Sequence, residues 1–413
     1  MSETFDSMKK IAVIGGGPAG MMAAGTAARE GADVILYEHT DRLGKKLAIT
    51  GKGRCNVTNS CSVTEFMENV TRNPRFLYTA LYAFPPEKTI EFFEEMGVEL
   101  KTERGNRVFP ADDKAKTIVD AMRKYASAAK VIYENVTQIV PNDDGGFTVI
   151  SKQPRRFDAV ILATGGKSYP LTGSDGSGFR IASRLGHKVT ELCPSLIPME
   201  SKSKLCSEMM GLSLKNVAIK VIDSSGKTLY ADFGEMMFTH FGVTGPMILS
   251  ASAYIKDKDV SDMTLSIDLK PALDEKTLDA RLLSDFKERA NKDFANSLGA
   301  LLPSKMIEPF ISVTGIDARK KVNSITKEER RKILTALKDF RISLSGLRPI
   351  EEAIITSGGI NVKEINPKTM ESKILPGLYF AGEMIDVDAY TGGFNLQIAY
   401  STGYIAGKNA SKY

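Results

Sequence analysis

The hydrophobic pattern opens with a short apolar run, Ile11-Ala-Val-Ile14, that stops on three glycines. Consecutive apolar residues bounded by a turn read as a strand buried on both faces, as in a parallel sheet. An alanine-rich stretch, Ala19 to Glu30, follows and reads as a helix. A second apolar run, Asp33-Val-Ile-Leu-Tyr-Glu38, reads as the next strand and ends on an acid. Strand, glycine turn, helix and strand in that order predict a βαβ unit and an α/β fold.

The alternation continues less regularly. Helices are expected around Arg75–Ala83 and Glu87–Met96, parted by Pro85-Pro86, and across Lys114–Ala128, where Ile118, Met122 and Tyr125 fall in register. Val98–Lys101, Arg107–Phe109 and Val131–Glu134 read as short strands. Val136–Val140 and Phe147–Ile150 read as a hairpin around Asn142-Asp-Asp-Gly-Gly146. Phe157-Asp-Ala-Val-Ile-Leu-Ala-Thr-Gly-Gly166 is a further buried strand ending in small residues. The glycine-rich Thr172–Gly178 and a helix, Phe179 to Leu185, come next.

The texture then changes. Leu214–Ile222, Thr228–Phe233, Glu235–Phe238 and Thr264–Leu269 read as strands, and Asp274 to Phe340 reads as helical. The strand-and-glycine-turn texture of the opening returns with Leu378-Tyr-Phe-Ala-Gly-Glu383, and with Thr391-Gly-Gly-Phe-Asn395 opening a last helix. A discontinuous first domain is therefore expected, over 9–190 and 346–413. It is interrupted by a β-rich part, 191–272, and a helical part, 273–345.

Composition adds limits. A chain of 413 residues is long enough for two or three domains. A net charge of +5 is slight, and no basic tract stands out, so a nucleic-acid partner is not expected. Cys55, Cys61, Cys193 and Cys206 form no C-x-x-C and fit a reduced, cytoplasmic setting. Lys9-Lys10 before an apolar stretch imitates a signal peptide, but glycines and a proline interrupt that stretch. Residues 1–8 read as a frayed leader. No uninterrupted apolar run reaches transmembrane length, so no membrane partner is expected. No cluster has metal-ligand spacing.

The candidate chemistry begins at Gly15, Gly17 and Gly20, which fit G-x-G-x-x-G. The first glycine permits the turn, the second lets a pyrophosphate approach, and the third lets helix and strand pack closely. Glu38 falls about 20 residues on, where a carboxylate can bind ribose hydroxyls. The loop Arg42–Asn59 is long, polar and without period, with Lys45, Lys46, Lys52 and Arg54 available to phosphate. A solvated surface loop is the alternative reading.

These residues carry a resemblance. Gly15-Gly-Gly-Pro-Ala-Gly20, Gly53-Arg-Cys-Asn-Val-Thr-Asn59, Ala163-Thr-Gly-Gly166, Thr239-His-Phe-Gly-Val-Thr-Gly-Pro246 and Gly382-Glu with Thr391-Gly-Gly-Phe-Asn395 resemble the BaiN/RdsA family of NAD(P)/FAD-dependent oxidoreductases, also called aminoacetone-oxidase-like flavoproteins. The resemblance implies a glutathione-reductase-type, Rossmann-like FAD-binding domain interrupted by a β-barrel domain and a helical domain. It implies FAD at the opening motif, with Gly15, Gly17, Pro18, Ala19 and Gly20 at the pyrophosphate and Glu38 beside His39 at the adenosine ribose. Lys45, Lys46, Leu47, Gly53, Arg54, Cys55 and Asn56 would line the flavin side, and Val136 would meet the adenine through its backbone. Ala163, Thr164, Gly165 and Gly382 belong to the same cradle by this resemblance. Asp386 would approach the ribityl chain, and Gly392, Gly393, Phe394, Asn395 and Leu396 the isoalloxazine edge.

A flavin carries hydride chemistry itself, so no catalytic triad is required, though a proton donor for the substrate can be. His240, in a glycine-rich turn, either moves a proton or orders a hairpin by hydrogen bonding. Tyr169, Tyr390 and Arg54 are further candidates to touch substrate. Cys55 reads as a buried, inert thiol in preference to a redox group, and His39 and His187 read as structural. No second glycine fingerprint stands in register, so NAD(P)H, as electron donor, would bind transiently. The expected reaction is NAD(P)H-dependent reduction of an activated C=C or enone in a small molecule. Oxidation of a small amine such as an aminoketone by oxygen is one alternative, and an RNA-binding flavoprotein for base modification is another. The oligomeric state is left open.

Overall fold

The computed structural model describes residues 8–413. Apart from Met8, the leader read at residues 1–8 lies outside them. The chain forms two compact units. The first runs to Ser195 and resumes at Ile350–Tyr413; the second is Leu196–Pro349. Among the described residues no helix is long and apolar enough to cross a membrane.

The first unit is built on a five-stranded sheet. Its strands are β1 (Lys10–Ile14), β2 (Asp33–Tyr37), β3 (Lys130–Ile132), β4 (Ala159–Leu162) and β5 (Leu378–Phe380). They lie in the order β5-β4-β1-β2-β3, every pairing parallel. The central strand, β1, is buried from Ile11 to Ile14, which is why its sequence is continuously apolar. Helices α1 (Pro18–Arg29), α2 (Ala115–Ala126) and α3 (Phe394–Ala410) belong to the same unit. The last helix lies directly on the first. A Cβ at Gly403 or Gly407 would fall 2.4 Å from the carbonyl oxygen of Ala19 or Ala23. Any side chain at those two positions would push the helices apart, so the glycine pair carries the end of the chain back to its opening turn.

The expected hairpin forms as Gln138–Pro141 with Phe147–Ile150, and Arg155–Phe157 adds a third antiparallel strand. The loop without period turns through Leu47–Gly53 as short 3-10 segments. It then pairs Thr58–Asn59 with Arg107–Pro110.

The second unit holds a seven-stranded antiparallel sheet. Its order runs from Phe340–Ser343 through Thr264–Asp268, Ser213–Ile222, Thr228–Phe238, Gly242–Thr244 and Met199–Glu200 to Gly346–Leu347. The order begins and ends on neighbouring stretches of one chain segment, Phe340–Ser343 and Gly346–Leu347. Thr228–Phe238 is one strand, carried through Gly234, where the sequence reads two. Glu275–Glu288, Ser304–Thr314 and Lys327–Lys338 are helices of this unit. Ile219 and Leu265 of the sheet share one hydrophobic core with Leu278, Leu282, Phe310 and Leu337 of the helices. The β part and the helical part share this core within the second unit. A sheet face and a few helix stripes close a core together more readily than each alone.

Candidate cofactor site

The site begins where β1 runs into α1. Gly15 has φ +107°, a conformation natural to glycine, and a Cβ there would lie 2.5 Å from the Ala163 carbonyl oxygen. A Cβ at Gly16 would meet Leu43 at 2.3 Å, and one at Gly20 would meet the Gly15 carbonyl at 1.8 Å. Gly17 differs: nothing lies within 4 Å of its Cβ position. It is the N-cap of α1, followed by Pro18, which has no N–H to leave unpaired. Ala19 is buried. The turn is closed on three sides and open at the helix N-terminus.

Glu38 leaves the carboxyl end of β2. Its buried carboxylate accepts the Gly16 N–H at 2.9 Å and the Thr40 N–H at 2.7 Å, which fixes it at the mouth of the turn. The His39 Nδ1 lies 3.8 Å from Glu38 Oε1. A Cβ at Gly173 would be 2.9 Å from Thr40, so the glycine-rich loop after β4 closes on the same end. Val136 is buried just past β3.

The lysine loop divides its charges. Lys45 Nζ pairs outward with Asp41 at 2.9 Å, while Leu47 is buried. Lys46 turns inward, donating to Ser168 Oγ at 2.7 Å and to Glu383 Oε2 at 2.9 Å. Glu383 follows β5 and also accepts the Thr356 N–H at 2.8 Å. A Cβ at Gly166 would lie 2.4 Å from Thr356 Oγ1 and 2.8 Å from Glu383 Oε1; one at Gly165 would meet Ser174 Oγ at 3.0 Å. The Ala163–Gly166 turn, Lys46 and Glu383 therefore converge. Thr164 Oγ1 reaches the Met384 sulfur at 3.1 Å, and the Gly382 N–H donates to Thr402 Oγ1 at 2.9 Å.

Next comes a strained segment. Lys52 and Cys55 both adopt positive φ, +57° and +59°, which side chains seldom tolerate; Gly53 lies between them. The Arg54 guanidinium is held by Glu103 and by Asp113, its Nε 2.8 Å from Asp113 Oδ1, and lies 4.2 Å over the Phe109 ring. Cys55 is fully buried, and burial pushes its thiol up to about 12. Asn56 Oδ1 is buried without a hydrogen-bond partner.

The start of α3 packs against this segment. Gly392 and Gly393 have φ +125° and +96°, and a Cβ at Gly393 would lie 2.3 Å from the Thr58 carbonyl. Asn59 Nδ2 donates to the Gly392 carbonyl at 3.2 Å. Asn395 accepts the Ala389 N–H at 3.0 Å and donates to the Ala389 carbonyl at 2.8 Å. Phe394 meets Phe66 edge-on at 5.0 Å, and Leu396 is half-buried. Asp386 is buried and paired with Arg72.

Of the substrate-side candidates, Tyr169, Tyr390 and Arg54 lie in the first unit. Tyr169 has φ +53°, and its N–H donates to the Glu351 carbonyl at 3.0 Å. Tyr390 is half-buried, its N–H on the Asn69 carbonyl at 2.9 Å. His240 belongs to the second unit and is exposed. The bonds ordering its turn run between Thr239 and Gly242, N–H to carbonyl at 2.8 Å, while its ring meets Phe241 at 5.0 Å.

A family model described as "HI0933-like protein Rossmann domain" matches residues 9–409. The chain belongs to this family. Its members are BaiN/RdsA-type FAD-dependent oxidoreductases, and the protein is an FAD-dependent enzyme. The chain is 30% identical, over 98% of its length and 100% of the relative's, to a 3-dehydro-bile acid delta(4,6)-reductase of Clostridium scindens. It is 29% identical, over 97% of both chains, to a ribosomal RNA dihydrouridine synthase of Escherichia coli. Among solved structures, a 3-ketosteroid-Δ4-(5α)-dehydrogenase of Rhodococcus jostii aligns with a TM-score of 0.55 at 16% identity, over 99% of both chains, which shows a shared fold.

Three groups at the family's glycine turns escaped the sequence reading. Glu383 was visible only as an acid after Ala-Gly at a strand end. Ser174, with its buried Oγ unpartnered, sits in the glycine-rich stretch Thr172–Gly178, where nothing in the sequence marks it out. Asp388, fully buried, had no signal, because its partners come from remote segments.

Proposed function

We propose that the first unit holds FAD and that the enzyme reduces a C=C bond conjugated to a carbonyl, with NAD(P)H as electron donor. The opening over Gly17 carries the cofactor placement. A pyrophosphate there would meet the unpaired first-turn amides and positive dipole end of α1. Glu38, already oriented by two amides, has lone pairs left for ribose hydroxyls. Asn56 Oδ1 and Ser174 Oγ fit the same reading. A buried polar atom without a partner costs about 1–3 kcal/mol, which a cofactor hydroxyl or N–H would offset. The amides of Phe394, Asn395 and Leu396, at the start of α3, would hold the ring edge.

FAD supplies the hydride chemistry; the chain binds it, orients it and limits water. Two relatives that match along all or nearly all of their length are named for related reactions. A 3-oxo Δ4,6 bile acid and a uridine both present a C=C in conjugation with a carbonyl. We therefore infer that this bond type, rather than one scaffold, defines the reaction. With no second glycine fingerprint in register, the nicotinamide donor binds transiently. Tyr169 and Tyr390 are the proton-donor candidates of the first unit, and His240 that of the second. The backbone strain at Tyr169 is of the kind that collects at functional sites.

The test is turnover. The protein is incubated anaerobically with NADH or NADPH and a 3-oxo-Δ4 steroid or a simple enone. The expected product carries two added hydrogens, with nicotinamide oxidised in equal amount. In a separate incubation under air, hydrogen peroxide formed from an aminoketone and oxygen, with no enone reduction in the anaerobic one, would make the enzyme an oxidase. Saturation of uridine in RNA, with no reaction of free enones, would move the substrate to RNA.

A further inference from the structure

We propose that Asp388 is a positioning residue, which sets the Thr391–Asn395 turn and thereby the protein's grip on the ring edge; this rests on reading the first unit as an FAD site. Asp388 is fully buried. Its carboxylate accepts hydroxyl bonds from three segments. Ser195 Oγ donates to Oδ2 at 2.9 Å, Thr71 Oγ1 to Oδ2 at 3.0 Å, and Ser357 Oγ to Oδ1 at 3.0 Å. Ser195 and Ser357 lie on the antiparallel pair Cys193–Ser195 and Ile355–Ser357. Through these strands the chain leaves the first unit and re-enters it. Thr71 lies on Val70–Arg72, which pairs with Asp388–Ala389.

The residues around Asp388 form a strap fixed at both ends. On one side Asp386 pairs with Arg72, and its carbonyl accepts Asn73 Nδ2 at 2.6 Å. On the other, the Tyr390 N–H donates to Asn69 and Asn395 clasps Ala389 through its N–H and its carbonyl. The turn that follows contains Gly392 and Gly393, which impose little conformation of their own. Its position is therefore inherited from the strap and from the contact with Thr58–Asn59. Asp388 stands at the middle of that strap.

Stability alone does not explain a carboxylate here. Replacing a buried charged group together with its partners by well-packed apolar residues is often neutral or stabilising, so the carboxylate and its three hydroxyls are not needed for stability as such. What an ionised carboxylate offers is acceptance of several donated hydroxyls at once, which an amide nitrogen cannot do. It thus ties the crossing strands, the Val70–Arg72 strand and the turn into one arrangement.

The test uses full-length protein reconstituted with FAD, as wild type, Asp388→Asn and Ser357→Ala. FAD affinity, the visible circular dichroism of the bound flavin and its two-electron reduction equilibrium are measured. Asp388→Asn is expected to retain FAD but to change the dichroism and lower the reduction equilibrium constant about tenfold, about 30 mV for a two-electron couple. Ser357→Ala, which keeps the carboxylate and removes one hydroxyl, is expected to shift both in the same direction by less. Unchanged dichroism and equilibrium in both variants, with only thermal stability lowered, would overturn the proposal. If Asp388→Asn fails to fold, Ser357→Ala decides by the same readouts. A wild-type protein that takes up no FAD would instead overturn the reading of the site, and the proposal with it.

Discussion

Lys46 and Glu383 stand 337 positions apart in sequence and form an ion pair, Nζ 2.9 Å from Oε2, with both side chains mostly buried. Ser168 Oγ and the Thr356 N–H complete the network. Glu383→Gln keeps the shape and removes the charge that faces the ammonium. A loss of about 1–3 kcal/mol in urea unfolding is expected. The double variant with Lys46→Met should lose less than the sum of the single changes, because neither then leaves a partner stranded. Strict additivity would show that the pair is not coupled.

The glycines of the opening turn separate folding from binding. Gly17 has φ −78° and open space at its Cβ position, so Gly17→Ala should leave the unfolding midpoint of the cofactor-free protein nearly unchanged. Its FAD affinity should fall by tenfold or more, about 1.4 kcal/mol. Gly20→Ala, whose Cβ would collide with the Gly15 carbonyl at 1.8 Å, should instead destabilise the fold itself. Equal FAD affinity in wild type and Gly17→Ala would remove the pyrophosphate from this opening.

Cys55 should be chemically silent. Burial pushes its thiol up to about 12 and that of Cys61 up to about 11, leaving little thiolate near neutrality. Alkylation of native protein at about pH 8, read by peptide mass mapping, should spare both until denaturant is added. Rapid native labelling of Cys55 would reopen a redox role.

His187 gives the fold an acid-sensitive point. Ser372 Oγ accepts the Ile374 and Leu375 N–H groups at 3.0 and 2.8 Å, so its proton goes to His187 Nε2 at 2.7 Å. The imidazole proton then lies on Nδ1, buried and unpartnered. Burial lowers the pKa below the ordinary 6.5, against a weaker opposing pull from Glu364. With the folded value lower than the unfolded one, the stabilisation is present above about pH 6.5 and is lost as pH falls through the folded value. Thermal midpoints should drop from about pH 7 to about pH 5 in wild type and less in His187→Leu. Parallel curves would assign the acid sensitivity elsewhere.

The chain declares its first unit early and its second unit poorly. Ile11–Ile14, the glycine turn and Glu38 are adjacent in sequence, so local pattern places the cradle's opening. Glu383 shows only as an acid at a strand end and Asp388 not at all, because their meaning lies in partners from remote segments, such as Lys46, Ser195 and Ser357. Periodicity gives the strands near Ile219 and the helices near Leu282 separately. It cannot say that the two close one core, because that depends on which faces meet. Arg54 has surroundings that pattern does not reveal. A cation in a glycine-rich loop reads as a phosphate or substrate ligand, and the carboxylates that converge on it, Glu103 and Asp113, lie about 50 and 60 positions on in sequence.

The central claim is a resident FAD that nicotinamide reduces, and anaerobic mixing tests it most directly. The purified protein, saturated with FAD and freed of excess, is mixed with NADH or NADPH under nitrogen while the flavin absorbance is followed. The account expects a yellow protein whose flavin band bleaches with one of the two donors and returns on adding an enone. A colourless protein that takes up no FAD, or a bound flavin that neither donor bleaches, would contradict it.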